Sequence, residues 1–455
     1  MIDRADTDRE MVTMRPRAYL LTAALLCAAQ SLLAQSTLTR QEQRIRDWVA
    51  ASHESQITYL QRVIDIPSST LNLEGVRRVS AVFQASLDSL AFTTTWVPVP
   101  EAMRRAGHLV AEHRGRPGGV RVLLIGHFDT VVEPAGPTFV RQDSIARGVG
   151  GGDMKGGDVI ILYALKALQS AGLLQGLNVS VVFTGDEEYP GEPLAVARQA
   201  LIDVGHRSDV ALAFEGGMRG EATVARRGSS GWRLTATGRQ AHSAGVFGAG
   251  AGYGAIYELA RILDAFRQQL VGEQYLTFNA ATVVGGTDVA FDTVELRGTA
   301  AGKDNVVPRL AIATGDLRFI SQQQLDSTRE RMRAIVGRHL PGTGAEIEFQ
   351  DGYPAMPPTP GNDRLLTMYD EASRALGYGP VTALDASRRG AGDLSFVAPF
   401  TSGMEGLGAL GSGAHTPDER VDLSALTMQT ERAALLLERL AGRPASDFAP
   451  ARTGP

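Results

Sequence analysis

The chain contains three clusters of acidic and histidine residues, and each cluster comes directly after a short apolar run. In chain order the clusters are His127 with Asp129, Glu187 with Glu188, and Glu215. Imidazoles and carboxylates bind divalent metals in proteins, and a carboxylate can also act as a general base. Any one of these clusters, taken alone, would more often consist of hydrogen-bonded polar residues at the end of a strand, with no catalytic role. Because the clusters recur at similar positions, they favour one shared active site.

The apolar runs that precede these clusters are typical of buried strands. They are rich in Val, Ile and Leu and comprise Val120–Ile125, Val179–Phe183 and Asp209–Phe214. Helical stretches such as Val159–Ala171 alternate with them, which indicates a mainly parallel sheet covered on both faces. Ligands gather outside the carboxyl ends of strands in such a sheet, so we expect the clusters in one cleft. A glycine-rich loop with Asp153 lies between the first two clusters, next to a helix N-terminus that favours its charged form.

A different alternation of elements begins near Gly228. Predicted strands and helices there follow the order β-α-β-β-α-β, the ferredoxin-like split unit. The sequence therefore predicts an α/β catalytic domain with a mixed, mainly parallel sheet covered by helices, and an inserted ferredoxin-like lid or dimerisation domain. The expected division is a signal peptide at 1–35, catalytic segments at 36–226 and 353–445, the lid at 227–352, and a disordered tail at 446–455.

Composition excludes several classes of protein. The 455 residues include 45 Lys and Arg against 50 Asp and Glu, which gives a net charge of −5. Since the basic residues are not clustered, nucleic-acid binding is not expected. A single cysteine excludes intramolecular disulfides and cysteine-built zinc sites. Any metal must therefore be held by histidine and carboxylate side chains.

The N-terminal residues have the pattern of a targeting signal. The 17-residue apolar run Ala18–Ala34 follows Arg15 and Arg17, as in a secretory signal peptide. A transmembrane helix needs about 20 apolar residues, so no permanent membrane span is expected. We interpret Met14 as the start of translation and expect a secreted or periplasmic protein. Lipid attachment at Cys27 is not favoured, because the residue before it is not small.

Seven short motifs follow one another along the chain. They are GHFDTV, GGGDMKGG, TGDEE, FEGG, GRQAHSAG, NVVP and GAHTPDERVDL. With these motifs the sequence resembles the M20 metallopeptidase family, which contains carboxypeptidase G2, aminoacylase-1 and succinyl-diaminopimelate desuccinylase. The resemblance spans roughly residues 45–440, nearly the whole chain after the predicted signal.

The resemblance implies two zinc ions per subunit, although cobalt or manganese also suits nitrogen and oxygen ligands. The implied ligands are His127 and Glu215 for one ion, Glu188 and His415 for the other, and Asp153 as the bridge between them. Glu187 resembles the general base that takes a proton from a metal-bridged water. Asp129 resembles the carboxylate that orients His127. For Glu215, a helix cap is the ordinary alternative.

The resemblance also implies roles for three residues of the lid. His242 resembles the histidine that stabilises the oxyanion, which in relatives often comes from a second subunit and implies a homodimer through the lid. Asn305 and Arg318 resemble the groups that bind the substrate's carboxylate. The ordinary alternatives are a surface histidine, a turn residue before a proline and an ion pair on a strand face.

One departure from the family pattern concerns the substrate. Carboxypeptidase G2-like enzymes have an arginine for the terminal glutamate just after the last strand of the lid, whereas this chain has Tyr353. That difference weakens a strictly glutamate-releasing assignment. Arg388 and Arg389 could supply a replacement cation.

The favoured function is a secreted dizinc hydrolase that cleaves an amide or peptide bond next to a free carboxylate, as a carboxypeptidase or dipeptidase does. Its substrate would be a small peptide or an N-acyl amino acid. An N-acyl-amino-acid amidohydrolase would use the same site and remains the alternative. A non-catalytic relative that only binds ligands is the third possibility, and it is disfavoured because the metal and base positions are intact.

Overall fold

The computed structural model describes residues 38–293 and 295–448. The predicted signal peptide, the proposed start at Met14 and Cys27 lie outside these residues. None of the helices in the described ranges combines the length and apolar character needed to cross a bilayer.

The helices of the described residues comprise long elements of the core and short connecting turns. They are α1 (Arg40–Ala51), α2 (His53–Ile64), α3 (Leu73–Ser89), α4 (Gly156–Ser170), α5 (Leu194–Ala197), α6 (Gln199–Gly205), α7 (Ala255–Leu270), α8 (Gln322–Val336), α9 (Pro360–Ala375), α10 (Leu394–Val397) and α11 (Leu423–Ala441). A break at Ser52 separates α1 from α2. A capping box begins α1, since Thr39 and Glu42 each accept the other's backbone N–H.

The strands of the described residues form five sheets. The strands are β1 (Thr93–Val97), β2 (His108–His113), β3 (Arg121–His127), β4 (Val140–Gln142), β5 (Ile145–Arg147), β6 (Asn178–Thr184), β7 (Val210–Ala213), β8 (Glu221–Ala222), β9 (Gly228–Gly238), β10 (Thr277–Gly286), β11 (Asp288–Asp292), β12 (Arg297–Ala301), β13 (Leu310–Phe319), β14 (Thr343–Asp351), β15 (Thr382–Ala383), β16 (Ser402–Glu405), β17 (Gly411–Ser412) and β18 (Arg420–Asp422).

The largest sheet has the order β1-β2-β6-β3-β7-β16. Its β6, β3, β7 and β16 strands are parallel, while β1 and β2 are antiparallel to their neighbours. On one face, the buried helices α4 and α11 pack in the main hydrophobic core. On the other face, apolar side chains of α6 and α10 form a second cluster with β3 and β7. The predicted mixed, mainly parallel α/β fold with helices on both faces is confirmed.

A second sheet contains β10, β13, β9 and β14 in that order, all antiparallel. Helices α7 and α8 cover one of its faces around Trp232, Leu234 and Phe266. The element order is the β-α-β-β-α-β series expected from the sequence. An additional hairpin, β11 with β12, interrupts the connection between β10 and β13 and was not anticipated.

Two features of the C-terminal part affect the site and the tail. The antiparallel sheet β17-β18-β5-β4 holds both ends of the segment that carries His415. Ala445–Phe448 form a 3₁₀ turn in which Phe448 is fully buried. The predicted disordered tail at 446–455 is therefore wrong at its start, because apolar burial keeps the chain packed to Phe448; residues 449–455 lie outside the described residues.

Candidate metal centre

Three neighbouring parallel strands bring the acidic and histidine clusters together. His127 is the last residue of β3 and lies opposite Thr184, the last residue of β6. Glu187 and Glu188 follow β6 closely, and Glu215 follows β7 on the other side of β3. Since the carboxyl ends of parallel strands share one edge, the topology produces the convergence expected from the sequence.

The first group of potential ligands consists of His127, Asp153 and Glu215. His127 Nε2 lies 3.4 Å from Asp153 Oδ1 and 3.7 Å from Glu215 Oε1. This Nε2 atom is buried and has no hydrogen-bond partner among the described residues. The other ring nitrogen, Nδ1, lies 3.0 Å from the main-chain oxygen of Asp129, which can only accept. That contact leaves the lone pair of Nε2 for a metal ion.

The second group consists of Asp153, Glu188 and His415. His415 Nε2 lies 3.0 Å from Asp153 Oδ2 and 3.2 Å from Glu188 Oε2. The backbone of His415 has a φ of 64°, an uncommon left-handed conformation for a residue with a side chain. Asp153 therefore faces the first group with one oxygen and the second group with the other.

Electrostatics within these groups indicate a need for positive charge. Burial raises the pKa of Glu188 to about 8, and the charges of Asp153 and Glu187 add to this rise. The pKa of Glu215 is also well above its usual value because of burial. The hydrogen bond to Asp153 raises the pKa of His415 to about 9. Glu188 and Glu215, whose pKa values are raised, lie beside the Asp153 carboxylate in a donor set that divalent cations would stabilise.

Residues 123–439 match the profile of peptidase family M20/M25/M40. The chain belongs to this family. Carboxypeptidase G2 of Pseudomonas sp. (strain RS-16) is 25% identical over 445 residues, which cover 93% of this chain and 98% of that enzyme. A succinyl-diaminopimelate desuccinylase of Methylobacterium radiotolerans is 30% identical over 336 residues, covering 68% of this chain and 79% of that enzyme. The chain is thus a hydrolase of the peptidase and amidohydrolase type.

Solved structures share the fold. The aminopeptidase PepT of Bacillus cereus superposes with a TM-score of 0.70 at 18% identity, covering 86% of this chain and 99% of that one. A dinuclear metal-binding peptidase of the M20 family from Bacillus subtilis superposes with a TM-score of 0.59 at 16% identity, covering 86% of this chain and 98% of that one. At these identities the likeness concerns the fold alone.

Asp129 connects the histidine cluster to the glutamate pair of this M20 chain. Its carboxylate accepts hydrogen bonds from the backbone N–H of Glu187 at 3.0 Å and of Glu188 at 3.1 Å, and from Thr70 Oγ1 at 2.6 Å. The same carboxylate lies 3.4 Å from His127 Nδ1. Asp129 therefore fixes the position of the segment after β6 relative to the end of β3.

Two residues that sequence analysis missed hold the loop with Asp153. The carboxylate of Glu419 accepts three backbone N–H groups, from Gly150 at 2.7 Å, Gly152 at 2.8 Å and Asp153 at 2.9 Å. The buried Lys155 donates to carbonyls at the end of α2, and its burial lowers its pKa to about 8. Both residues stand inside quoted motifs, but only the fold shows what they contact.

A buried ion cluster behind Glu187 was also missed. Arg198 is fully buried and donates to Asp393 at 2.6 Å and to Asp186 at 2.7 Å. Its Nη2 lies 3.4 Å from the hydroxyl of Tyr353, which in turn donates to the main-chain oxygen of Glu187 at 3.3 Å. Tyr353, where the family pattern suggested an arginine, therefore supports the glutamate pair. Asp186 is visible in the TGDEE motif, but nothing in the sequence pairs it with a distant arginine.

The three site residues predicted in the unit at 227–352 do not join the metal groups within one chain. His242 is exposed, and its Nδ1 accepts the backbone N–H of Ala244 at 3.1 Å. Asn305 lies beside it, since its carbonyl oxygen accepts the N–H of Ser243. Arg318 forms an ion pair with Asp316 at 2.9 Å, as in the ordinary alternative.

Asn305 and Arg318 are also far from each other. Asn305 precedes β13, and Arg318 is close to the other end of that strand. The eight steps from Leu310 to Arg318 span about 26 Å at a strand rise of about 3.3 Å per residue. Within one chain these two side chains therefore cannot bind the same small carboxylate.

Proposed function

We propose that the chain is a dizinc hydrolase that cleaves an amide or peptide bond next to a free carboxylate. The observation that carries this proposal is the placement of Asp153, whose two oxygens lie 3.4 Å from His127 Nε2 and 3.0 Å from His415 Nε2. One carboxylate shared by two ligand groups suits a paired-metal site. Glu215 would complete the first group and Glu188 the second.

The zinc ions would polarise the scissile carbonyl and lower the pKa of a water molecule toward neutrality. Glu187 takes the proton from this water and later returns it to the leaving amine. Burial, with the nearby charge of Asp393, raises the pKa of Glu187 to about 7, a suitable value for a group that accepts and donates protons near neutral pH. Asp129 holds the main chain of Glu187 at 3.0 Å and so fixes the position of the base.

A homodimer through the unit at 227–352 is part of this proposal. His242 would stabilise the oxyanion of a partner subunit, because in its own chain it contacts neither ligand group. The separation of Asn305 from Arg318 likewise suits a substrate held between two chains. Phe247 follows His242 by five residues, and its ring lies 5.3 Å from that of Tyr257. Phe247, Ile256 and Tyr257 expose 53%, 45% and 55% of their surface, and apolar exposure of this kind suits a partner.

The second candidate is an N-acyl-amino-acid amidohydrolase, favoured by the desuccinylase relative, whose name describes removal of an acyl group. The same metals and base would serve both reactions, and only the acyl pocket differs. The apolar run at 18–34 supports a secreted or periplasmic location for either enzyme.

A panel of dipeptides, N-acyl amino acids and N-acyl glutamates, assayed with zinc and with a chelator, tests the proposal. We expect zinc-dependent hydrolysis of at least one substrate class that carries a free carboxylate. Preference for dipeptides would assign a peptidase, and preference for N-acyl amino acids would assign the amidohydrolase. Absence of zinc-dependent hydrolysis across the panel would refute both.

A further inference from the structure

A pocket of about 250 Å³ lies beside the candidate metal centre. Its walls include three acidic residues, the potential metal ligands Asp153 and Glu215 and the loop-supporting Glu419, and also Arg389. The remaining wall is mostly glycine backbone, from Gly152, Gly216, Gly217, Gly411 and Gly413, and no aromatic side chain lines it among the described residues. A pocket this small with a polar wall suits a compact charged group better than a large apolar one.

Arg389 is held in this wall without an acidic partner. In the described ranges its guanidinium makes one hydrogen bond, from Nη2 to the main-chain oxygen of Gly216, and no ion pair. Its Nε is buried and has no hydrogen-bond partner in the same ranges. A half-buried cation without a counterion costs free energy that an anionic ligand would offset.

The neighbouring residues fix Arg389 in place. Arg388 is engaged with Glu221 at 2.8 and 3.0 Å and points to a different partner. On the other side, Arg226 donates to the carbonyl oxygens of Gly390 at 2.5 Å and Ala391 at 2.6 Å. Of the two adjacent arginines, only Arg389 is therefore both immobilised and available.

We propose that Arg389 binds the free carboxylate of the substrate in the pocket beside the metal centre and so determines the specificity for acidic amide substrates. A guanidinium binds a carboxylate through two parallel hydrogen bonds, which no other protein cation does as well. Two divalent cations and Arg389 would together outweigh the three carboxylates of the ligand groups and that of Glu419, so the loaded pocket attracts an anion. The proposal rests on the proposed function, and it assigns the carboxylate site to this chain rather than to Arg318, which is occupied by Asp316.

The test compares each hydrolysed panel substrate with its carboxamide counterpart in wild-type protein and in Arg389→Gln. We expect Arg389→Gln to raise KM for the carboxylate substrate on the order of 10- to 100-fold, the usual loss for a charged hydrogen-bonded pair, with little change in kcat. KM for the carboxamide should stay within a few-fold. Arg389→Lys keeps the charge and should recover part of the preference.

Arg388→Gln is the matched control, because it removes an adjacent arginine that is bound to Glu221. It should leave the ratio of carboxylate to carboxamide KM unchanged, and thermal melting of all variants separates binding effects from misfolding. If Arg389→Gln is folded and retains the wild-type ratio, Arg389 is not the carboxylate site, while the proposed function stands.

A binding measurement tests the role of Arg389 even if the wild-type protein hydrolyses no substrate of the panel. N-acetyl-L-alanine and N-acetyl-L-alaninamide are titrated calorimetrically into the zinc-loaded protein. Tighter binding of the acid than of the amide, abolished in Arg389→Gln and retained in Arg388→Gln, supports the anion site on its own. Equal binding of the two compounds to wild-type protein overturns it.

Discussion

At the scale of single residues, Glu187 is fixed by its main chain and free at its carboxylate. Its N–H donates to Asp129 at 3.0 Å and its carbonyl oxygen accepts from Tyr353 at 3.3 Å. Its carboxylate accepts no hydrogen bond from the described residues. A fixed main chain and an unpaired carboxylate suit a general base, which must accept a proton at a defined position.

Replacement of Glu187 by glutamine should reduce kcat on the order of 10²- to 10⁴-fold, the usual contribution of a general base, because the amide cannot accept the proton. Zinc content should remain that of the wild type, since Glu187 belongs to neither ligand group. Glu192→Gln, an exposed glutamate nearby, is the control and should retain its activity. Near-normal turnover in Glu187→Gln would end the proposed role.

The pH dependence of kcat/KM follows from the same residue. Burial raises the pKa of Glu187 to about 7, and the base works only in its deprotonated form. Activity should therefore fall as the pH drops through this pKa, and two bound cations would move the fall to a lower pH. The acid limb should disappear from the residual activity of Glu187→Gln, as measured over pH 5 to 8. A limb that persists unchanged would assign it to another group.

At the scale of elements, the sequence predicts the strands well and the contacts between loops poorly. Apolar runs before His127, Glu187 and Glu215 identify β3, β6 and β7, because buried parallel strands have a simple composition. The pairing of Glu419 with the loop before α4 joins residues more than 260 positions apart. Such a pairing depends on the tertiary fold and cannot be predicted from the pattern of neighbouring residues in the sequence.

Glu419→Ala should release the loop that carries Asp153, because three backbone N–H groups lose their acceptor. We expect zinc affinity to fall on the order of 10- to 100-fold, as when other supporting groups of metal sites are removed. Asp418→Ala is the matched control, since this neighbour is exposed. Zinc titration with a competing chelator measures both variants. Equal affinity in Glu419→Ala and wild type would show that the loop holds its shape without this carboxylate.

At the scale of the whole molecule, the fold class and the order of the elements at 227–352 could be predicted, but the position of these elements relative to the site could not. The family resemblance implies that His242, Asn305 and Arg318 act at one site. In the structure, however, Asn305 precedes β13 and Arg318 lies near the far end of that strand. The β11–β12 hairpin was also missed, because its short exposed strands leave little apolar pattern. Long-range geometry of this kind depends on sheet register and on partners outside the chain.

Subunit mixing tests the proposed homodimer. Glu187→Gln and His242→Ala should each be nearly inactive alone. If His242 serves the partner's site, a mixed dimer contains one site with both wild-type groups, and mixing should restore up to about a quarter of wild-type activity from random pairing. Light scattering should show a dimer, and Tyr257→Arg should weaken it by placing a charge in the exposed apolar patch. A mixture no more active than its parts, with a monomeric wild type, would contradict the dimer.

The proposed function requires two metal ions and the residues around Asp153 to form one hydrolytic site. Titration of the metal-free protein with zinc, followed by hydrolysis of an amide that carries a free carboxylate, tests it most directly. We expect activity to rise with added zinc and to reach its plateau at two ions per chain, and we expect His415→Ala to lower the number of ions bound. Hydrolysis that is independent of zinc, or a plateau at one ion, would contradict it.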